Sequence, residues 1–318
     1  MNYWKNRLFI GSRSFDRFMG SPLDGVTNVP FRKAVRLFSP DALMYTEICH
    51  CDTIVNTEPP KWGLDVGERQ INFQMSAADQ TYIERACERV ISHGVTMVDI
   101  NIGCPAKTVV NKGAGSALMA DLPRLKSIIT LFRACLPTIL TVKMRAGYKE
   151  HNALDVARML DDLGVDAICV HPRLQSEGFT GEPDYGLVGE IKKAVSIPVL
   201  VSGGIASWPI AKMVYESTGV DGFLVGRALT GHPWLLEKLT EESQGRAYTI
   251  SHDNIRAAMK YHLNCAVAWF GPSRGLAYFK KHLKVYLNDL GFEQSQRIEL
   301  LSTVTPDQFI HACAKMGK

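Results

Sequence analysis

Short β-rich segments recur along the chain with helix-period stretches between them, and that alternation restricts the fold to one built on a parallel sheet with helical crossovers. Strands are expected at residues 18–23, 43–47, 71–75, 97–101, 139–145, 167–173, 198–203 and 222–226. Eight are enough to close a barrel. Between them Tyr82, Ala86, Arg89, Val90 and His93, and again Leu154, Ala157, Leu160, Asp161 and Gly164, follow helical spacing. The rival is an open doubly wound sheet, but no GxGxxG follows the first strand and no GxxxxGK followed by Ser or Thr occurs. The segment ahead of residue 17 reads as a hairpin or arm.

After residue 245 the pattern changes to helices alone. Residues 253–268 and 276–290 carry apolar and basic positions at helical spacing on either side of a Gly271, Pro272, Ser273 turn. A barrel typically takes about 250 residues, so the 318-residue chain divides into a TIM (β/α)8 barrel over 1–245 and a small all-helical domain over 246–318. That second part holds ten Lys or Arg against five acids, an excess larger than the net charge of +4 for the whole chain. Its basic surface is either a solvated helical face or a contact for nucleic-acid phosphates. Lys280, Lys281 and Lys284 are the central cations, since Phe279, Leu283 and Leu287 recur at spacings of four and take the packed face.

No apolar run approaches the roughly 18 residues of a membrane span, and the opening MNYWKNRLFIGSRSF lacks the apolar centre of a signal peptide. A cytoplasmic monomer without membrane association is expected. The eight cysteines show no repeating framework, which suggests reduced thiols. Cys49, His50 and Cys51, and His262 with Cys265, lack the paired spacing of zinc ligands, so no metal is expected.

In such a barrel the ligand site lies at the C-terminal ends of the strands. Those ends read Pro22 with Leu23, Thr46 with Glu47, Gln74, Asn101 and Cys104, Lys143 with Arg145, His171 with Arg173, then Ser202, Gly203 and Gly204, and last Gly226 with Arg227. Residues 97–105, MVDINIGCP, alternate an apolar face against Asp99 and Asn101, after which Gly103 and Pro105 break the strand and present Cys104. From this segment alone a buried inert cysteine and a chemical one remain equally open. TVKMR turns Lys143 and Arg145 to one face, and ICVHPR does the same with His171 and Arg173. Buried cations without an anion would be very costly. The glycine loops add backbone N–H groups and the Arg227 guanidinium where this fold commonly holds phosphate. The set fits a phosphorylated planar cofactor, with FMN the natural candidate: Lys143 could stabilise negative charge on the reduced ring and Gln74 could bond its edge.

The stretches SPLDGVTNVPFR, YTE, DINIGCPAK, GAGSALM, VKMRAGY, HPR, SGG and GRALTGHPW closely resemble the tRNA-dihydrouridine synthases, and the run GCPAKTVVNKGAGSALM with the GHPW ending is most similar to the bacterial B-type enzyme. The resemblance implies an FMN enzyme that uses NADPH to reduce the 5,6-double bond of a uridine in the D-loop of tRNA, with position 17 favoured. It implies Cys104 as general acid, with Pro22, Leu23, Gln74, Lys143, His171, Ser202, Gly203, Gly204, Gly226 and Arg227 at the flavin. Asn101 and Arg145 would hold the flipped uracil, with Lys107, Arg173 and the three helical lysines also on the substrate side. Ser21-Pro22-Leu23 stands where the family commonly has Ala-Pro-Met, Pro172 replaces the Gly of His-Gly-Arg, Ser202 replaces an Asn, and Ser76 replaces a Gly. No reacting group is lost by these changes. A Schiff-base aldolase using Lys143 is the alternative enzyme, and it leaves Cys104 and Gln74 without a role. A tRNA-binding protein without chemistry would need none of Cys104, Lys143 and His171.

Overall fold

The computed structural model describes residues 3–316. After a 3-10 turn at Tyr3–Lys5 come β1 (Leu8–Ile10) and β2 (Arg13–Phe15), paired as an antiparallel hairpin. The barrel strands are β3 (Phe18–Gly20), β4 (Met44–Tyr45), β6 (Ile71–Ser76), β7 (Met97–Asn101), β8 (Ile139–Gly147), β9 (Ala167–Leu174), β10 (Val199–Ser202) and β11 (Gly222–Val225), with a short β5 (Cys49–His50) beside the end of β6. All barrel pairings are parallel, and β4 joins β3 on one side and β6 on the other, which closes the ring. The expected eight strands all form.

Around the ring lie α1 (Val29–Val35), α2 (Cys51–Asn56), α3 (Ile83–Ser92), α4 (Lys107–Val110), α5 (Leu122–Cys135), α6 (Ala153–Asp162), α7 (Tyr185–Ala194), α8 (Trp208–Thr218) and α9 (Leu235–Ser243). They follow from strand alternation. Val98, Ile100, Leu140, Val142, Ile168, Val170, Val199 and Val201 point outward and are buried under these helices. The inward set changes character along the barrel axis. Ile139, Ala167, Cys169, Leu200 and Leu224 form an apolar floor plugged by Leu8, Ile10 and Phe15 of the hairpin. Above them stand Asp99, Asn101, Thr141, Arg145, His171 and Ser202, all buried.

The helical region contains α10 (His252–Phe270), α11 (Pro272–Asp289), α12 (Gln294–Ser302) and α13 (Pro306–Lys315). The first two match the sequence expectation, whereas α12 and α13 were not foreseen. A second core joins Leu263, Ala266, Phe279, Leu283 and Leu287 to Leu300 and Phe309. It also takes Trp234, which precedes residue 245, so packing and chain boundary do not coincide. Gly275 lets α10 and α11 meet, since a Cβ there would lie 2.5 Å from the Ala266 carbonyl oxygen. No helix among the described residues is long and apolar enough to cross a membrane.

One buried ion pair sets the loop after β3. Arg32 on α1 donates to both Glu68 oxygens at 2.7–3.2 Å, to the Thr27 carbonyl at 2.8 Å and to the Gly63 carbonyl at 2.8 Å. Both side chains are nearly sealed from solvent. Removing the carboxylate would strand a buried cation. Glu68→Ala is therefore expected to cost about 3 kcal/mol in urea unfolding, while Arg32→Met with Glu68→Leu costs less than that single change.

Candidate active site

The strand ends open onto one cavity of about 790 Å³. Pro22, Leu23, Gln74, Asn101, Cys104, Lys143, Arg145, His171, Ser202, Gly203, Gly204, Gly226 and Arg227 all line it. Strand periodicity alone brings most of them inward.

A hydrogen-bond chain rises from the barrel interior to the thiol. Asn72 donates to Thr141 at 2.9 Å, and Thr141 donates to Asp99 Oδ1 at 2.7 Å. Gln74 donates to Asp99 Oδ2 at 2.7 Å and accepts from Asn101 at 3.0 Å. Asn101 Oδ1 then accepts the N–H groups of Gly103 (3.1 Å) and Cys104 (2.8 Å). On the far side Ser116 binds the Cys104 carbonyl through its N–H at 3.1 Å and its hydroxyl at 2.9 Å. Gly115, at φ +60°, gives that approach its room, since a Cβ would meet the same carbonyl at 2.8 Å. Burial pushes the Cys104 thiol up, partly offset by the Ala106 N–H, so the sulfur keeps its proton at neutral pH.

Cations surround the rest of the space. Burial pushes Lys143 down, and its ammonium has no hydrogen-bond partner among the described residues. Arg145 is lowered to about 10 by burial and is tied to the carbonyls of Gly103 (2.8 Å), Leu174 (2.9 Å) and Gly178 (2.8 Å). His171 is pushed down to about 2 by burial and by Lys143, Arg145, Arg173 and Arg227, which makes it a neutral imidazole. Its Nε2 accepts from Arg173 at 3.1 Å, placing the ring proton on Nδ1.

The glycines after β10 are obligatory. Gly203 has φ +98° and Gly204 φ +79°, and a Cβ on Gly204 would sit 2.5 Å from the Tyr185 hydroxyl. That hydroxyl donates to the Gly203 carbonyl at 2.9 Å. Arg227 stands over the Phe179 ring at 5.0 Å, and Arg145 approaches the same ring at 5.5 Å. Phe179 lines the cavity while 48% exposed. It was missed in the sequence, where the only signal is a lone aromatic in the polar loop SEGFTGEP.

The family model described as "Dihydrouridine synthase (Dus)" matches residues 19–315, which takes in both the barrel and the helical region. The chain belongs to the dihydrouridine synthase family. A probable tRNA-dihydrouridine synthase 1 from Synechocystis sp. is 31% identical over 90% of this chain and 82% of its own length. A tRNA-dihydrouridine synthase B from Pseudomonas putida is 31% identical over 84% and 81%. Among solved structures, morphinone reductase aligns with TM-score 0.55 at 14% identity, covering 77% of this chain and 90% of that one. Histamine dehydrogenase from Rhizobium sp. 4-9 aligns with TM-score 0.57 at 14% identity over 82% and 51%. At that identity the two share the barrel fold.

The residues that the family resemblance assigned to substrate are not all brought together in the cavity. Arg173 does not line the cavity; it braces His171 and donates twice to the Gly181 carbonyl, because the loop after β9 folds back over it. The Asn101 carboxamide is engaged at both ends by Gln74 and the Cys104 turn. Lys107 is exposed at the start of α4, outside the cavity. The three helical lysines separate. Lys280 donates to the carbonyls of Leu301 and Thr303 at the end of α12. Lys281 bonds the Gly25 carbonyl, and Lys284 is exposed. Lys318, counted in the basic excess, lies outside the described residues. Cys49 and Cys51 are buried, and His50 pairs with Asp52 at 2.9 Å.

Asp99 gives the network a pH signature. Burial pushes it up to about 6 against the pull of Gln74, Thr141 and Lys143. A carboxyl raised above its unfolded value binds more protons in the folded state, so its contribution is full below the ordinary value of 3.8 and is lost as pH rises through about 6. The stability difference between wild type and Asp99→Asn, followed by urea unfolding, is expected to shrink from pH ~4 to ~6 and then level off. A difference that grows with pH would show that the donors outweigh burial.

Proposed function

We propose that this chain is a tRNA-dihydrouridine synthase that holds FMN across the barrel mouth and, with NADPH as reductant, reduces the 5,6-double bond of a D-loop uridine, position 17 being favoured. The observation that carries the reading is a protonated thiol sharing one cavity with converging cations. Reduction of an isolated uracil alkene needs a hydride on one face and a proton on the other. The flavin supplies the hydride. Cys104, held by Asn101 and Ser116 and kept neutral by burial, supplies the proton.

The donor set fits a flat anionic cofactor. Lys143, His171 and Gln74 line the cavity where they would hold the flavin ring, and Pro22 and Leu23 would give it an apolar wall. Ser202, Gly203, Gly204, Gly226 and Arg227 would hold the phosphate, a place that suits the loops after the seventh and eighth strands. Asn101 and Arg145 lie where a base would enter, Asn101 exchanging an internal bond for it. Phe179 offers that base an aromatic face. Lys284 and Lys107 are left to meet phosphates, so residues 246–318 are read as an RNA-binding domain beside a catalytic barrel over 1–245. A cytoplasmic monomer agrees with this role. The lowered Lys143 also suits a Schiff-base aldolase, but that reading leaves the Cys104 thiol idle and lies outside the family.

Purified protein is expected to be yellow, and Lys143→Ala or Arg227→Ala should weaken FMN affinity about tenfold or more, as for a lost charge-assisted bond. Colourless protein that FMN cannot reconstitute would refute the reading. Cys104→Ala should keep its flavin and accept electrons from NADPH, yet turn over tRNA about a hundredfold more slowly. Full tRNA turnover by that variant would remove the acid role, and loss of flavin would make the thiol structural.

A further inference from the structure

We propose that Lys281 is a positioning residue for the cavity: its ammonium holds the Gly25 carbonyl, and so fixes the loop bearing Pro22 and Leu23, instead of meeting an RNA phosphate. The inference rests on the flavin reading above and deepens it.

The loop after β3 runs along the cavity wall, which includes Pro22, Leu23, Asp24 and Val26. At its turn Gly25 is left-handed, with φ +70°. Its N–H donates to Glu47 Oε1 at 2.6 Å, and its carbonyl accepts from Lys281 Nζ at 3.0 Å. The turn is thus pinned at both faces, once by the barrel and once by α11. A Cβ on Gly25 would lie 2.4 Å from the Lys281 nitrogen, so a side chain there would push the ammonium off its carbonyl. The same ammonium stands 4.6 Å from the Tyr278 ring centroid, a second contact that holds it in place.

The next residue grips the neighbouring loop. His282 is fully buried, stacks on Phe31 of α1 at 4.3 Å, and accepts the Gly231 N–H through Nδ1 at 3.1 Å. Gly231 needs its missing side chain, since a Cβ would meet the His282 carbonyl at 2.7 Å. Its loop begins with Gly226 and Arg227, and its strand β11 pairs with β3. Two consecutive residues of the helical region therefore clasp two adjacent walls of the cavity. Lys281 and Lys284, less than one turn apart on α11, are both exposed, but Lys284 makes no such contact among the described residues. Two lysines on one helix have different work: one shapes the cofactor site and the other is free for RNA.

The test compares Lys281→Met, Lys281→Arg and Lys284→Met in the full chain. FMN is titrated into each apoprotein by fluorescence, and tRNA affinity is measured across a salt series. Lys281→Met is expected to raise the FMN Kd about fivefold, Lys281→Arg to restore it, and both to leave the salt slope unchanged. With saturating FMN, Lys281→Met should lose tRNA turnover in kcat rather than KM. Lys284→Met should flatten the salt slope by up to about 0.9 and leave FMN affinity alone. Gly25→Ala, which displaces the ammonium from the other side, should reproduce the FMN effect. A Lys281→Met protein with unchanged FMN affinity, or with the salt behaviour of Lys284→Met, overturns the proposal. So does a fall in melting temperature that tracks the flavin loss and is not recovered by arginine. Wild-type protein that binds no FMN overturns the flavin reading itself, and that outcome is distinct from wild-type binding that the substitution fails to change.

Discussion

Like charges converge inside the barrel mouth, and the rest of the site is arranged around that cost. Burial, with Lys143, Arg145, Arg173 and Arg227 adding to it, holds His171 neutral. Asp24, at the rim, is the acid that lines the cavity, while Asp99 is committed to Gln74 and Thr141 below. Two of the cations are stabilised internally: Arg145 spends its donors on three carbonyls, and Arg173 on Gly181 and the imidazole. Lys143 and Arg227 have no such bonds among the described residues. An anion between them would offset a repulsion that the folded chain otherwise carries alone.

The same economy explains the thiol. A thiolate would be welcome among cations, yet Cys104 sits where burial outweighs them, and its main chain is fixed by Asn101 on one side and Ser116 on the other. The fixing runs through Gln74 to Asp99, so a residue lining the cavity and the loop that presents the thiol belong to one bonded chain. Asn72, Gln74, Asp99, Asn101 and Thr141 all sit on barrel strands, while Ser116 and the two Cys104-loop amides do not. Precision at the thiol is therefore inherited from strand register, which a closed ring holds far more firmly than a loop could.

Strand alternation is also why so much of the site was legible in the sequence. Met97, Asp99 and Asn101, or Thr141, Lys143 and Arg145, share a face whatever the tertiary surroundings, and the strand ends point the polar ones into the mouth. The bonds that redirect those residues were not legible. Arg173 has the right parity, but the loop folded over it depends on Gly181, eight positions away. Lys281 reads as one of three equivalent cations until its partner, 256 residues earlier, is known. The helices α12 and α13 stayed hidden because Ile298, Leu301 and Ile310 are exposed, which blurs the apolar face that periodicity detects. Strand ends located the cavity residues and resemblance to the family gave them roles, while only the three-dimensional contacts separated those that face the space from those that brace it.

The join between barrel and helices follows from the same contacts. An RNA-binding appendage could be attached by a linker and a generic apolar patch, and the catalytic loops would then be indifferent to it. Here α11 contributes His282 to a buried aromatic stack with Phe31 and His262, and it packs against two left-handed glycine turns, at Gly25 and Gly231. Phe31 lies on α1 beside Arg32, whose ion pair with Glu68 holds Thr27 at the far end of the loop carrying Pro22 and Leu23. That loop is thus secured from within the barrel at one end and from the helical region at its turn. A cavity wall built in this way is complete only when both regions are folded against each other, so barrel and helical region are parts of a single packed unit.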